Sequence, residues 1–184
     1  MVARTQKLIR ISAFVALLTC MAIPRSAVAQ DVAVGQAQAV VLTVVSVTSS
    51  ASLNFGDVLQ GVSTSIANNN ASAAIFEISG ETDAGIDLYL LLPQQMHLAD
   101  NSDRMPIIFG STDASIDTTG AGNPPGMAAG KGWQNVNPNS LPATVTIGSA
   151  GTDLYLGGTT VPSPNQKAGS YSADVVLTVS YNGQ

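Results

Sequence analysis

The chain of 184 residues is predicted to be an all-β protein, and three features of the sequence support this. Gly, Ser, Thr, Asn, Ala and Val dominate the composition, whereas the helix-forming types Glu, Lys, Arg and Leu are scarce. No window carries apolar residues at the i, i+3, i+4, i+7 spacing of an amphipathic helix. The last segment, Gly169 to Tyr181, alternates in the manner of a strand and gives the strongest strand signal in the chain.

The terminal segment has one apolar face and one polar face. Its polar face carries Ser172, Asp174, Thr178 and Ser180, with Val176 the only apolar residue among them. A strand with a fully apolar face has to be covered in water, so some other segment is expected to lie against it. The apolar face consists of Tyr171, Ala173, Val175, Leu177, Val179 and Tyr181.

Residues 1–29 have the pattern of a secretory signal peptide. Basic residues at Arg4, Lys7 and Arg10 precede an uncharged apolar stretch, Ile11 to Ile23, and Ala27-Val28-Ala29 supplies the small-x-small cleavage site. The apolar stretch is also short for a transmembrane helix. We therefore expect an exported protein whose mature form begins near Gln30.

Removal of the signal peptide changes the charge and the cysteine count. The remaining chain keeps all twelve acidic residues but only three basic ones, Arg104, Lys131 and Lys167, so its net charge is −9. Such a surface repels nucleic acid and anionic lipid, and neither is expected as a partner. Cys20 is the only cysteine and leaves with the signal, so no disulfide is expected.

The mature chain is long enough for one domain, preceded by an apolar arm. We predict an N-terminal arm over residues 30–40, which runs into a first core strand, Val41 to Val47, of a domain that covers residues 41–184. The segment Gly35 to Gln38 lowers the strand propensity in the middle of this stretch, because a glycine weakens a strand interior. A single long edge strand is an equally good interpretation of the same residues.

The rest of the chain contains further short strands separated by turn-forming residues. The turns are expected at Ser49 to Ser52 and Gly80 to Gly85, with a polar loop at Gly61 to Asn70 and a long irregular region at Gly110 to Pro142. Seven or eight short antiparallel strands at this spacing indicate a β-sandwich. The predicted strands are Leu53 to Leu59, Ala73 to Ile78, Ile86 to Leu92, Met105 to Phe109, Ala143 to Ile147, Leu154 to Leu156 and the terminal segment, reached through Gly157 to Ala168.

The sequence does not predict an active site, a metal site or a cofactor site. His97 is the only histidine, so a zinc site would need carboxylates for its other ligands, and a histidine–nucleophile pair would depend on that one residue. Two groups of acidic residues, Asp100 to Asp103 and Asp113 to Asp117, lack an EF-hand pattern and are better explained as Asx turns. An enzyme is therefore not expected.

Trp133 is the only tryptophan and lies in the long glycine-rich region. An exposed tryptophan can stack on a sugar, so a carbohydrate-binding role is conceivable. A tryptophan that closes one end of the sandwich is the simpler interpretation, because large aromatic side chains are mostly buried.

The two ends of the mature chain suggest a common role. An immunoglobulin-like sandwich that lacks its last strand has a groove beside its terminal strand, and an extended segment of another molecule can fill that groove with main-chain hydrogen bonds. The uncharged, apolar arm has the character of such a segment. The sequence does not decide which of the two faces of the arm would point into the groove. A bulge at Gly35 would exchange the two faces.

Four stretches resemble a secreted bacterial domain family of unknown function that is related to spore-coat-protein-U-type and archaic chaperone–usher pilins. They are L-N-F-G-D-V-L-Q-G (Leu53 to Gly61), F-E-I-S-G-E (Phe76 to Glu81), L-Y-L-G-G (Leu154 to Gly158) and the closing segment, Asn165 to Asn182. The resemblance covers the mature chain except for Gly110 to Pro142. Many archaic pilins carry a disulfide, which this mature chain lacks.

The resemblance implies a pilin-type sandwich and a set of partners. The last strand would bind a periplasmic chaperone and would later border the groove that receives the arm of the next copy, after export through an outer-membrane usher. The apolar face of the last strand, from Tyr171 to Tyr181, would line this interface. The candidate donor positions in the arm are Val32, Val34, Ala37, Ala39 and Val41.

Three functions follow as expectations. The first is a structural subunit of a surface fimbria of a Gram-negative bacterium, polymerised by donor-strand exchange. The second is a secreted coat or matrix protein whose own arm closes the groove. The third is a carbohydrate-binding adhesin that uses Trp133.

Overall fold

The structure, a computed structural model, describes residues 36–119 and 133–183. Within these ranges the chain forms β-strands and no helix, which confirms the all-β prediction. Nor do the described residues contain any helix that would be long and apolar enough to span a membrane. The predicted signal peptide and the arm positions Val32 and Val34 lie outside the described residues.

The strands of the described part number thirteen, more than the seven or eight that the sequence predicts. The extra strands are short, with two to five residues each, and several lie in segments predicted as loops. The strands are β1 Ser46–Ala51, β2 Thr64–Ile66, β3 Ala74–Ser79, β4 Gly85–Leu91, β5 Gln95–Leu98, β6 Arg104–Ile108, β7 Ala114–Asp117, β8 Trp133–Val136, β9 Val145–Thr146, β10 Thr152–Leu156, β11 Gly158–Thr160, β12 Tyr171–Ser172 and β13 Val176–Tyr181.

These strands pair antiparallel in three sheets. The first sheet has the order β1-β3-β10-β7-β8, and the second has the order β12-β5-β6-β11-β2. The third is the three-stranded sheet β13-β4-β9. All thirteen strands belong to one compact unit, Val40–Gln184.

Alternating side chains of the first and third sheets form the main core. In β3, Ala74, Phe76 and Ile78 are buried, whereas Ile75 is half-buried and Glu77 and Ser79 are exposed. These side chains pack with Ile86, Val145 and Leu177 of the third sheet, with Ile147, which directly follows β9, and with the apolar residues of β7 and β10. A smaller cluster, formed by Met96, Met105 and Ile107, lies under the second sheet.

Three short connections, of one to three residues each, lead from one sheet to another. β4 leads into β5 across Pro93, β10 leads into β11 across Gly157, and β12 leads into β13 across residues 173–175. At Gly157 the chain comes so close to a neighbouring segment that a Cβ would overlap the carbonyl oxygen of Ile66. Glycine is therefore required at this corner.

The first core strand begins later than predicted. The sequence predicts it at Val41 to Val47, but β1 begins at Ser46, which lies opposite Ser79, the last residue of β3. Beyond Ser79 the chain turns through Gly80 toward β4, so no strand lies opposite the residues before Ser46. Val41 is consequently unpaired and 93% exposed.

The segment after β1 also differs from the prediction. The predicted turn at Ser49 to Ser52 lies largely inside β1, which continues to Ala51 with a register shift between Ser49 and Ala51. The predicted strand Leu53 to Leu59 is absent. Asn54 Oδ1 accepts a hydrogen bond from the Gly56 amide at 2.9 Å, and Gly56 has a φ of 64°, so the extended conformation is broken there.

Three segments predicted as loops or connections contain strands. The polar loop at 61–70 contains β2, and the connection at 157–168 contains β11. The long region at 110–142 contains β7 and β8, which pair with each other. These strands have three or four residues. That is too few for periodicity to identify them, and their formation depends on pairing with distant segments.

Candidate functional site

The last strand places its side chains on two faces, as its alternation predicts. Leu177 is buried, and the other apolar-face residues are half-buried, namely Tyr171, Ala173, Val175, Val179 and Tyr181. Ser172, Asp174, Thr178 and Ser180 are exposed, and so is Val176. The apolar face is therefore only partly covered by the described residues.

The last strand is also an edge strand within the described part of the chain. β13 pairs with β4 on one side, and β1 pairs with β3 on one side. β1 and β13 lie next to each other, but no ladder of main-chain hydrogen bonds joins them there. The sandwich therefore has an open seam between its first and last strands.

At one end this seam widens into a groove of about 890 Å³. One wall is the segment Ser52 to Gln60, and the other is Gln166 to Val175. The floor is apolar and comprises Ala74, Phe76, Met96, Met105 and Ile107. Of the floor residues, Met96, Met105 and Ile107 are at most 8% exposed.

Both walls of the groove carry main chain that is not used in the sheets. Residues 173–175 lie in the gap between β12 and β13 and make no main-chain pair with any other described residue. On the other wall, the main-chain groups of residues 55–58 make one hydrogen bond within the described part of the chain, the local one from the Gly56 amide to Asn54 Oδ1. An extended segment placed between the walls could therefore pair with main chain on both sides while its side chains contact the apolar floor.

The gap in the last strand arises from a mismatch in its pairing with β4 and β5. Val176 lies opposite Leu91, whereas Ser172 lies opposite His97. Three residues on one side thus face five on the other, and Pro93, which has no amide hydrogen, is among the five. The last strand cannot pair continuously across this point.

A polar cluster around the buried Gln166 side chain lies at the end of the groove near Tyr171. The Gln166 side chain, 5% exposed, places Nε2 at 2.7 Å from Asp103 Oδ2 and at 2.9 Å from the Tyr171 hydroxyl. The same Asp103 oxygen accepts a hydrogen bond from the Lys167 amide at 2.8 Å and one from the Tyr171 hydroxyl at 2.7 Å. We call Gln166, Asp103, Tyr171 and the Lys167 amide the Gln166 cluster.

These donors hold Asp103 in its charged form. The Lys167 amide, the Tyr171 hydroxyl and the Arg104 amide, in that order, lower the pKa of Asp103 from 3.8 to about 2. The Asp103 carboxylate therefore stays charged over the whole neutral and mildly acidic range. Nothing in the sequence pattern indicated it, because Asp103 and Gln166 are polar residues in two distant turns.

The arm positions that the structure describes are exposed. Ala37, Ala39 and Val41 all face solvent. The apolar side chains that follow are also open, since Val40 is 87% and Val44 is 88% exposed. Several exposed valines on one segment are unusual for the surface of a soluble monomer.

Trp133 lies at the start of β8 rather than in a loop. Its ring is half-buried and lies 4.7 Å from the ring of Tyr155, measured between centroids, with an interplanar angle of 40°. Tyr155 itself is fully buried, and burial raises its pKa. The tryptophan thus packs against an aromatic neighbour, which leaves less of its ring free for a ligand.

The other candidate side chains do not come together. His97 lies in β5 opposite Ser172, and the described residues bring no three His, Cys, Asp or Glu side chains into one group. The first acidic segment forms a turn at Asp100 to Ser102. The prediction of a turn at Asp113 to Asp117 is wrong beyond Asp113, because Ala114–Asp117 is strand β7, which pairs with β10 and β8. Asp100 Oδ1 accepts the Ser102 amide at 2.9 Å, and Asp113 Oδ2 accepts the Gly110 amide at 2.7 Å.

Comparison of the chain with protein-family models, with curated proteins and with solved structures finds no match. The features of the chain that bear on its function are therefore the groove and the segments around it.

Proposed function

We propose that the protein is a structural subunit of a surface fibre, in which the N-terminal arm of one copy occupies the groove of the next. The observation that carries this proposal is the open seam between β1 and β13, with an apolar floor and unused main chain on both walls. An extended, uncharged, apolar segment fits such a groove, and residues 32–45 of the same chain have this composition.

Two apolar surfaces remain uncovered in a single copy. Val40, Val41 and Val44 are almost fully exposed, and burial of a valine side chain contributes on the order of 1.5–3 kcal/mol. The half-buried residues of the last strand gain in the same way when the groove is filled. When one arm occupies one groove, both apolar surfaces are therefore buried at once.

The arm of the same copy is a poor candidate for this groove. To enter the seam beside β1, it would have to reverse direction between residues 40 and 45, which read Val-Val-Leu-Thr-Val-Val. This segment contains no Gly, Pro, Asn or Asp, and β-branched residues are disfavoured in tight turns. A self-closed secreted protein is consequently the weaker proposal.

The direction of the arm favours an open chain of copies over a closed pair. The Thr43 amide donates to Glu81 Oε2 at 3.4 Å, and the Glu81 amide donates to the Tyr181 hydroxyl at 2.7 Å, so the chain leaves the domain near Tyr181. The wide end of the groove lies at the opposite end of the last strand, beside Tyr171. Copies that join opposite ends propagate into a fibre, whereas copies that join like ends close into a dimer.

This assembly implies a route to the surface. A subunit with an unfilled groove needs an escort that covers the apolar face of the last strand until the next arm replaces it. Export by the signal peptide, a periplasmic chaperone and an outer-membrane usher supply that route in the proposal. The protein itself needs no catalytic group or cofactor for this role.

The test uses the full exported chain and a variant that lacks residues 30–40. Material sheared from the cell surface is run on a denaturing gel with and without boiling and is blotted for this protein. We expect a ladder that collapses to one band on boiling, since strand-exchanged polymers unfold slowly and their stability is kinetic. The variant that lacks residues 30–40 should give only the monomer band, with or without boiling.

A second variant controls for loss of arm residues in general. Gln36→Ser together with Gln38→Ser changes two polar positions of the arm and keeps every apolar one. It should give the same ladder as the unaltered chain. A monomer band in both lanes for the unaltered chain, or a full ladder without residues 30–40, would refute the fibre proposal.

A further inference from the structure

We propose that residues Asp57 to Gln60, here called the flap, form a gate over the groove, and that Gln60 is the positioning residue that holds the gate shut. The inference rests on the proposed function only for the identity of the segment that enters. It is built from the hinges of the flap, its few ties to the domain and the cluster to which it is tied.

The flap lies between two residues in the left-handed region. Gly56 has a φ of 64° and Gly61 has a φ of 70°. A Cβ added at Gly56 would meet nothing within 4 Å, so lack of space does not explain the glycine there. Backbone conformation does, and two glycines of this kind bound a segment that can swing as a unit.

The hydrogen bonds that tie the flap to the rest of the domain lie at its far end. The flap belongs to no strand, and Leu59 is 70% exposed. The Gln60 side chain donates from Nε2 to the carbonyl oxygen of Gln166 at 2.6 Å. Next to it, the Gly61 amide donates to the carbonyl oxygen of Ser163 at 3.1 Å.

The near end of the flap is anchored differently. Phe55, which directly precedes Gly56, packs on the Met96, Met105 and Ile107 cluster of the groove floor. Release of the far end would therefore let the flap swing about Gly56 while Phe55 stays in place. Such a movement uncovers the floor without separating the sheets.

The acceptor of the Gln60 hydrogen bond is well fixed. Gln166 is buried, and its side chain is tied to Asp103 and Tyr171 in the Gln166 cluster. One neutral hydrogen bond thus joins a loosely held flap to a cluster organised around a carboxylate. Hydrogen bonds to a charged group are the stronger kind, so the Gln60 contact is expected to open first.

The test measures access to the groove floor directly and needs no arm. Met105→Cys places a thiol on the floor of a mature chain that has no other cysteine, and its rate of reaction with a thiol reagent reports opening of the groove. Leu154→Cys, at a core position that is fully buried, reports general unfolding. Met96→Cys repeats the floor measurement from β5.

Each of these cysteine variants is then combined with Gln60→Glu. This substitution replaces the amide donor by a carboxylate that faces the Gln166 carbonyl oxygen. Gln95→Glu adds the same charge at an exposed position of β5 and is the matched control. We expect Gln60→Glu to speed labelling of the floor thiol by about fivefold to tenfold, the factor that loss of one neutral hydrogen bond gives. Gln95→Glu should leave the rate unchanged, as should either variant at Leu154→Cys.

An unchanged floor rate in Gln60→Glu overturns the gate. So does an equal acceleration at Leu154→Cys, since Gln60 would then merely stabilise the whole domain. A peptide of residues 30–45 separates this result from the fibre proposal. If floor labelling accelerates but the peptide binds to neither form, the gate stands and the proposed occupant is wrong.

Discussion

The Tyr181 hydroxyl accepts a hydrogen bond from the Glu81 amide at 2.7 Å, and this contact fixes the end of the last strand over the turn that follows β3. Gly80 lies directly beneath it. A Cβ at Gly80 would approach the Tyr181 hydroxyl oxygen to 2.5 Å and Ile147 Cδ1 to 2.8 Å. The tyrosine that ends the strand and the glycine of the turn thus fill one space together.

The first prediction concerns this pair. Gly80→Ala should destabilise the domain by about 1–3 kcal/mol, because the new methyl group has no room. Tyr181→Phe alone should cost about 0.5–1.5 kcal/mol through the lost hydrogen bond. The double variant should be more stable than the sum of the two effects predicts, since removal of the hydroxyl relieves part of the overlap.

Urea unfolding of the four proteins measures this coupling. Strictly additive effects would mean that the methyl group is accommodated by Ile147 rather than by Tyr181. In that case Gly80 would not be matched to the strand end, and the turn would tolerate alanine independently of residue 181.

The second prediction concerns the acid stability that Asp103 provides. Its pKa of about 2 lies below its ordinary value, mainly because the Lys167 amide and the Tyr171 hydroxyl donate to its carboxylate. For a carboxyl group with a lowered folded pKa, the stabilisation is complete above the unfolded pKa and is lost as the pH falls through the folded one. Its contribution should therefore disappear between about pH 4 and pH 2.

Asp103→Asn should lower the urea midpoint near neutral pH and flatten its decline between about pH 4 and pH 2. Asp87→Asn, on the exposed face of β4, is the matched change and should retain the decline. If both variants kept the same slope over this range, the Gln166 cluster would not depend on the carboxylate.

The sequence predicts the faces of the last strand well because alternation over eleven residues depends only on local geometry. It does not predict the break at residues 173–175, which comes from a register mismatch with β4 and β5. Nor does it predict the Gln166 cluster, in which Asp103 and Gln166 are 63 positions apart. The predicted strand at Leu53 to Leu59 fails for a local reason, the left-handed Gly56, which alternation alone does not detect.

The third prediction concerns Tyr155 at alkaline pH. Burial, and then the Asp153 carboxylate beside it, raises the pKa of the Tyr155 hydroxyl. A group with a raised folded pKa contributes stability that is present below the unfolded pKa, here about pH 10, and that is lost as the pH rises further. The domain should therefore lose stability above about pH 10.

Tyr155→Phe removes the ionisable hydroxyl and should flatten this alkaline decline, although it costs some stability at neutral pH through the lost contact with Asp153. Tyr89→Phe, at a position that is 66% exposed, is the control and should not alter the profile. Thermal unfolding, followed by circular dichroism at several pH values, compares the stability profiles of the two variants. Identical profiles would place the alkaline sensitivity elsewhere in the chain.

The last prediction uses two neighbouring valines that face opposite ways. Val175 lines the groove, whereas Val176 is 47% exposed on the outer face of the third sheet. Val175→Asp places a charge in the apolar groove, where it has no partner, so an extended apolar segment should bind there at least about tenfold more weakly. Val176→Asp adds the same charge to the same strand and should leave binding within about twofold, because its side chain points to solvent.

Titration of a fluorescent peptide of residues 30–45 into each full-length variant compares the two affinities, and urea unfolding checks that both variants fold. Equal weakening by both substitutions would show that charge on the strand, rather than charge in the groove, controls binding. If both variants kept the full affinity for the peptide, the segment would not use the groove at all. Only a loss confined to Val175→Asp agrees with an arm that is seated between the first and last strands.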